Sequence, residues 1–254
     1  MALNTHWISI IYTDQFVHPM RSEQQTFGRK CREAEDIIKW VAAKYGAEAA
    51  FACSFGAEDM VLLDIIERVT EGGNTISAFT IDTGRLHPET YELMQLAANR
   101  YRQKIDIYFP ESSGVEATVS RFGINLFYTS VEKRKMCCRV RKVEPLKRAL
   151  RGKKAWITGL RREQSQERAD VVPVSQDRSS NLVKVCPLAE WTDDDVWSYI
   201  TRHRVPFNPL HLSGFVSIGC QPCTRAVKPG EGSRSGRWWW EEGEKECGIH
   251  TSRL

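Results

Sequence analysis

The sequence predicts an α/β fold with a mostly parallel central sheet. Three observations carry that expectation: short apolar runs alternate with stretches of helical spacing, polar loops follow the runs, and 254 residues with 41% hydrophobic content can bury one large core. The first 27 residues show no sustained periodicity and are expected to form an N-terminal extension. From Cys31 the positions Ile37, Ile38, Val41 and Ala42 mark a helix that stops at Gly46. A strand over 49–53 then runs into a polar loop at 54–59, and Met60, Leu63, Ile66 and Val69 form the stripe of the next helix. The pattern repeats with a strand over 76–81, a loop over 82–87, a helix opened by Pro88 and lined by Tyr91, Leu93, Leu96 and Ala97, and a strand over 105–109. Further strands are expected over 155–158 and 182–185, about five in all, and Thr192 to Asp195 resembles a capping box opening a helix through Val196, Trp197 and Ile200. Beyond Pro206 the pattern dissolves into Gly, Pro, Ser and charge, without enough periodicity for an independent core.

Charge and composition exclude several classes. The 36 basic and 32 acidic residues leave a net charge of +4, short of the dense basic surface of a dedicated nucleic-acid binder, so an anionic partner must be met locally. No window reaches the roughly 18 apolar residues of a membrane span, and the apolar stretch at 7–12 is too short for a signal peptide, which suggests a cytoplasmic protein without a membrane partner. Eight cysteines in a reducing compartment are then metal ligands, reactive thiols or packed hydrophobes rather than a disulfide framework.

Ligands of an open parallel sheet bind beyond the carboxyl ends of its strands, where helix N-termini present N–H groups to anions. Ser54, Phe55 and Gly56 begin one such loop; it suits a phosphate-like group if Glu58 and Asp59 turn away, and the alternative is an ordinary capped helix start. The loop with Asp82, Thr83, Gly84 and Arg85 combines an acid, a hydroxyl, a glycine and a cation suited to a ribose and its phosphate. Arg161, Arg162 and Arg168 follow the strand over 155–158 and can grip oxygens bidentately, the alternative being a solvated charged loop. Arg234 and Arg237, among Gly and Ser, are placed to close over the same site.

Cys137-Cys138 and Cys220-x-x-Cys223 are two close pairs far apart in sequence, as in a four-thiolate metal site. Adjacent helical side chains diverge by about 100° and reach a single zinc ion poorly, so a [4Fe-4S] cluster is favoured over zinc, a redox dithiol or inert thiols. Among the surrounding cations Lys142, four residues after Cys138, is the one expected on the same helical face, against a plain solvated basic face. Cys31, Cys53 and Cys186 are read as packed hydrophobes. Cys247 lies in a polar stretch just after Glu244 and Glu246, acidic neighbours that disfavour its thiolate, so it becomes a nucleophile only where a tail carries it among cations; Trp238, Trp239 and Trp240 anchor that tail.

Together, the motifs at 54–59, 81–90, 159–165 and 246–250 resemble those of the assimilatory adenylyl-sulfate and phosphoadenylyl-sulfate reductases over nearly the whole chain from Cys31 to His250, with Ile249 where Leu is common. The resemblance implies a Rossmann-like adenine nucleotide alpha hydrolase (PP-loop) fold with a mobile C-terminal tail. The expected division is an extension over 1–27, for which the resemblance supplies nothing, a nucleotide-binding reductase domain over 28–210, and a segment over 211–254 with one cysteine pair and the catalytic cysteine. It also implies that Cys137, Cys138, Cys220 and Cys223 hold a [4Fe-4S] cluster, that Lys142 links it electrostatically to substrate, that Ser54, Arg168, Arg234 and Arg237 contact the phosphosulfate, and that His250 belongs to the catalytic motif.

The expected chemistry is attack of the Cys247 thiolate on the sulfur of adenylyl sulfate, release of AMP, and release of sulfite by thioredoxin or a glutaredoxin-like dithiol, since no second cysteine lies near Cys247. Alternatives are a reductase of the 3′-phosphorylated nucleotide or of both, a PP-loop ATP pyrophosphatase, from whose usual Ser-Gly-Gly-x-Asp-Ser the residues Phe55, Ala57 and Glu58 depart, and a non-enzymatic iron-sulfur or zinc module. Self-association is left open.

Overall fold

The computed structural model describes residues 21–71, 75–177 and 181–242. Six short segments form the strands β1 (Ala49–Ala52), β2 (Ser77–Ile81), β3 (Ile105–Tyr108), β4 (Ala155–Ile157), β5 (Val174–Asp177) and β6 (Leu182–Val185). They form one sheet in the order β3-β2-β1-β4-β6-β5. All pairings are parallel except β5 against β6. The sheet therefore has six strands where five were expected. The extra one, β5, is an edge strand of half-exposed, mostly polar residues that gives no apolar signal.

Helices cover both faces. Along β1 the two-residue alternation sends Ala49 and Phe51 into the large core, shared with α1 (Arg21–Tyr45), α2 (Ala57–Val69) and α7 (Asp193–His203). Ala50 points the other way and packs with Phe79, Leu146 and Ala149, the last two from α6 (Glu144–Ala149). The first helix starts ten residues before Cys31, with Phe27 already buried, so the expected extension is shorter than 27 residues. In α2 burial reaches Val61, Leu62 and Ile65 beyond the expected stripe, because the helix lies between α1 and α7. In α3 (Pro88–Arg100) Leu93 and Ala97 are buried as expected, whereas Tyr91 and Leu96 face outward. Thr192 caps α7, accepting from the Asp195 N–H at 3.1 Å in a reciprocal capping box.

Three further helical pieces prepare the site: α4 (Ser112–Phe122), α5 (Val131–Cys138) and a five-residue π-turn (Arg139–Val143) running into α6. The chain after Pro206 does contribute to a core, but a shared one: Cys223 and Trp238 bury themselves against Leu126 and Phe127, and a bridge pairs Thr224 with Arg237. Each such buried aromatic contributes about 1.5–3 kcal/mol. Sheet order reverses between β1 and β4, so the chain diverges there and opens a crevice at their carboxyl ends.

Candidate active site

That crevice begins with the loop after β1. Phe55 is buried with φ 60, a left-handed conformation unusual for a non-glycine residue, which turns the backbone sharply into α2. Asp59, in the first turn of α2, accepts hydrogen bonds from the Ser54 backbone N–H and hydroxyl, both at 2.6 Å, and from the Gly159 N–H at 3.2 Å. Burial lifts its carboxyl to about 6. Burial alone would also raise Glu58, but Arg161 and the Gln164 amide more than reverse it; Glu58 accepts from Arg161 Nε and Nη2 at 3.0 and 2.9 Å and from Gln164 Nε2 at 2.8 Å. Both acids line the crevice, but their oxygens are engaged, those of Glu58 by Arg161 and Gln164 and those of Asp59 by the Ser54 and Gly159 donors.

The crevice is an open cleft. Ser54, Gly56, Lys142, Arg168, Arg234 and Arg237 all line it, four cations from three distant parts of the chain. Arg168 is held by Gln164, whose Oε1 accepts from it and from the Arg161 N–H at 3.1 Å while its Nε2 donates to the Gly159 carbonyl at 3.2 Å. Arg237 is buried and donates to Ser217 Oγ at 3.3 Å.

Two of the expected arginines have other tasks. Arg161 borders the cleft, but its guanidinium is buried and engaged by Glu58, Asp193, Glu163 and the Trp191 carbonyl, so it clamps β4 to the starts of α2 and α7. Arg162 does not line the cleft; it donates to the Val171 carbonyl at 2.7 Å and pairs with Glu190 at 3.5 Å. Successive residues after a strand point in opposite directions, so only one of an Arg-Arg pair faces the crevice.

The loop after β2 also departs from expectation, because Asp82, Thr83, Gly84 and Arg85 do not line the cleft. Asp82 accepts from the Gly84 N–H at 2.7 Å and the Tyr91 hydroxyl at 2.9 Å, with Gly84 at φ 71, where a side chain would be strained. Thr83 Oγ1 lies 3.3 Å from Cys220 Sγ, and Arg85 donates to the Ile124 carbonyl and Asn125 while stacking over Phe127. This loop serves the cysteines.

Cys137, Cys138, Cys220 and Cys223 border one small gap, whose lining also includes Arg85, Arg134, Arg141 and Lys142. Burial alone would raise the Cys220 thiol, yet Lys142, the Thr83 hydroxyl, Arg237 and Arg141 together hold it below the ordinary thiol range. Cys223 is pushed up to about 12 by burial and by the neighbouring charges of Cys220 and Cys138. Four mutually interacting thiols ringed by cations fit an anionic group several ångströms across. Among the described residues no three His, Cys, Asp or Glu side chains converge as ligands of a single metal ion. Lys142 lines both the gap and the cleft, from the π-turn. Cys53 and Cys186 are buried and Cys31 is partly buried against the core, as packed hydrophobes should be. Cys247 and His250 lie outside the described residues.

Sequence reasoning missed Gln164, Asp193 and His211, all of which line the cleft. Gln164 was visible as part of the loop after β4 and Asp193 as part of the capping box, whereas His211 lies in an aperiodic stretch that carries no signal.

Comparison with known proteins follows the same outline. The family model for the phosphoadenosine phosphosulfate reductase domain matches residues 48–226. The chain is 50% identical over 221 residues to an adenosine 5′-phosphosulfate reductase of Allochromatium vinosum, covering 87% of this chain and 80% of that one. It is 49% identical over 205 residues to a protein of the same name from Burkholderia cepacia, covering 80% and 81%. Among solved structures it resembles a phosphoadenylyl-sulfate reductase from Candida auris in complex with phosphate, with a TM-score of 0.64 at 26% identity over 83% of this chain and 99% of that one. An FMN adenylyltransferase from Candida glabrata shares the fold alone, with a TM-score of 0.58 at 16% identity over 89% of this chain and 76% of that one.

Proposed function

We infer the chemistry of this site from one premise: the chain belongs to the phosphoadenosine phosphosulfate reductase domain family. It is an oxidoreductase acting on sulfur, and its reaction is the reduction of adenylyl sulfate to sulfite and AMP in sulfate assimilation. The observation that carries the assignment of parts is the cleft beyond β1 and β4, lined by Lys142, Arg168, Arg234 and Arg237, where the carboxylates of Glu58 and Asp59 are taken up by Arg161 and by the Ser54 donors. Such a cleft accepts a phosphosulfate, whose charge these cations balance, with Ser54 and Gly56 at the helix N-terminus.

In the proposed mechanism the Cys247 thiolate attacks the sulfur of bound adenylyl sulfate. A Sγ–S bond forms, the bond from sulfur to the phosphate oxygen breaks, and AMP leaves with the electron pair. The arginines screen two anionic reactants from each other and stabilise charge arriving on the phosphate. A dithiol, thioredoxin in this proposal, then attacks Cys247 Sγ; sulfite leaves with the bonding pair, and the second thiol closes the donor's disulfide and releases the Cys247 thiolate. The dithiol supplies both electrons. Cys137, Cys138, Cys220 and Cys223 would hold a [4Fe-4S] cluster, which when bound supplies a fixed charge beside Lys142.

The test is direct: the loaded protein is incubated with adenylyl sulfate without reductant, and the peptide containing Cys247 is weighed. A sulfonate adduct on that peptide, absent in Cys247→Ser, is expected; an unmodified peptide from nucleotide-saturated protein would refute the assignment. Iron and acid-labile sulfide near four per chain are expected after anaerobic purification, and stoichiometric zinc without sulfide would overturn the cluster.

A further inference from the structure

The described chain ends close to the cysteines, and one side chain joins the two. Arg134, on α5 one turn before Cys138, is buried and lines the gap between the four thiols. Its Nε donates to both carboxylate oxygens of Glu241 at 2.9 and 3.1 Å, and its Nη2 donates to one of them at 2.9 Å. The two side chains are 4% and 8% exposed, which sets this pair apart from most ion pairs of the molecule. The same guanidinium lies 4.5 Å from the Trp238 ring centre. The tail root is fastened at one more point, where the Trp238 N–H donates to the Cys223 carbonyl at 3.2 Å, and a turn within it is closed by the Glu241 N–H donating to the Trp238 carbonyl at 2.9 Å.

We propose that Arg134 and Glu241 are positioning residues that pin the root of the C-terminal tail to the cysteine site, so that the state of that site governs delivery of the tail thiol. The inference rests on the assignment of Cys247 as nucleophile. Glu241 precedes Cys247 by six residues, a tether of at most about 20–22 Å when fully extended. Freeing the root of such a tether lowers the effective concentration of the thiol at the cleft. Neither residue lines the cleft, so substrate affinity does not depend on them.

The experiment uses the full chain, purified anaerobically with its iron, as wild type, Glu241→Gln and Glu241→Ala. Both variants are expected to keep iron content and affinity for adenylyl sulfate within about twofold. Single-turnover sulfonation of Cys247 should fall about tenfold or more, and amide exchange over 238–242 should accelerate at least as much. Removing the iron from wild type should accelerate exchange over the same residues, a readout independent of activity. Unchanged exchange and sulfonation in both variants would overturn the proposal, as would iron and affinity falling in step with sulfonation. If wild type itself forms no adduct on Cys247, the functional assignment fails, while the exchange measurements still decide whether the root is pinned.

Discussion

Gly219 offers the sharpest test of how the cleft holds its cations. A Cβ built there lies 2.6 Å from Arg237 Cζ and 3.0 Å from Nη1, and closer still to Nη2. Ordinary contacts between such atoms are about 3.5–4.0 Å, so in Gly219→Ala the guanidinium must retreat by about 1 Å. The backbone at Gly219 is outside the left-handed region, so alanine adds no backbone strain. Retreat takes Arg237 away from Ser217 Oγ and out of register with a bound anion. A charge-assisted hydrogen bond contributes about 1.5–3 kcal/mol, and a misplacement of about 1 Å in a reacting geometry costs on the order of 10²-fold. The expected result in Gly219→Ala is a Kd for adenylyl sulfate raised about tenfold or more, sulfonation of Cys247 slowed about 10²-fold, and unfolding free energy changed by less than about 1 kcal/mol. Isothermal titration, single-turnover mass spectrometry and denaturant unfolding measure the three. Near-wild-type affinity and rate would refute the view that Arg237 acts from this seat, and a large stability loss would show that the glycine serves packing instead.

Three further outcomes follow from the same geometry. Arg162→Ala should leave KM for adenylyl sulfate within about twofold, whereas Arg168→Ala should raise it more than tenfold; equal effects would contradict the outward orientation of Arg162. Arg161→Met leaves Glu58 partly buried without its guanidinium and should cost about 3–5 kcal/mol in urea unfolding, with a cost below about 1 kcal/mol counting against its role as a clamp. Asp59 should be half-protonated near pH 6 by isotope-edited infrared spectroscopy, against an ordinary value of 3.8. Because the folded chain keeps a proton there that the unfolded chain has released, this group's contribution to stability falls as pH rises between those two values; titration near 4 would remove the effect.

Much of this molecule was legible wherever apolar periodicity sets structure. Phe51, Ile66 and Val185 announce their strand or helix because burial is the dominant force on them. The polar edge strand β5 was invisible for the complementary reason, as was α4, which buries no residue completely. At the site, residue types revealed which chemistry to expect but not which way each side chain points. Arg161, Arg162 and Arg168 look alike in sequence, yet the first is consumed by Glu58 and Asp193, the second faces away, and the third lines the cleft. Their roles depend on acids from other parts of the chain, information that no local pattern contains. The contacts of the loop from Asp82 to Arg85 were hidden for the same reason, since its partners Cys220 and Ile124 are distant in sequence.

The widened turn at 139–143 makes the cysteine-bearing helix one residue longer than a regular coil would need between Cys138 and the sheet-packed Leu146 and Ala149. A deletion within it would let the backbone relax into an unbroken α-helix and swing the paired sulfurs by about 100° away from their opposite numbers. The shortened chain would be the better helix and the poorer frame for the four thiols.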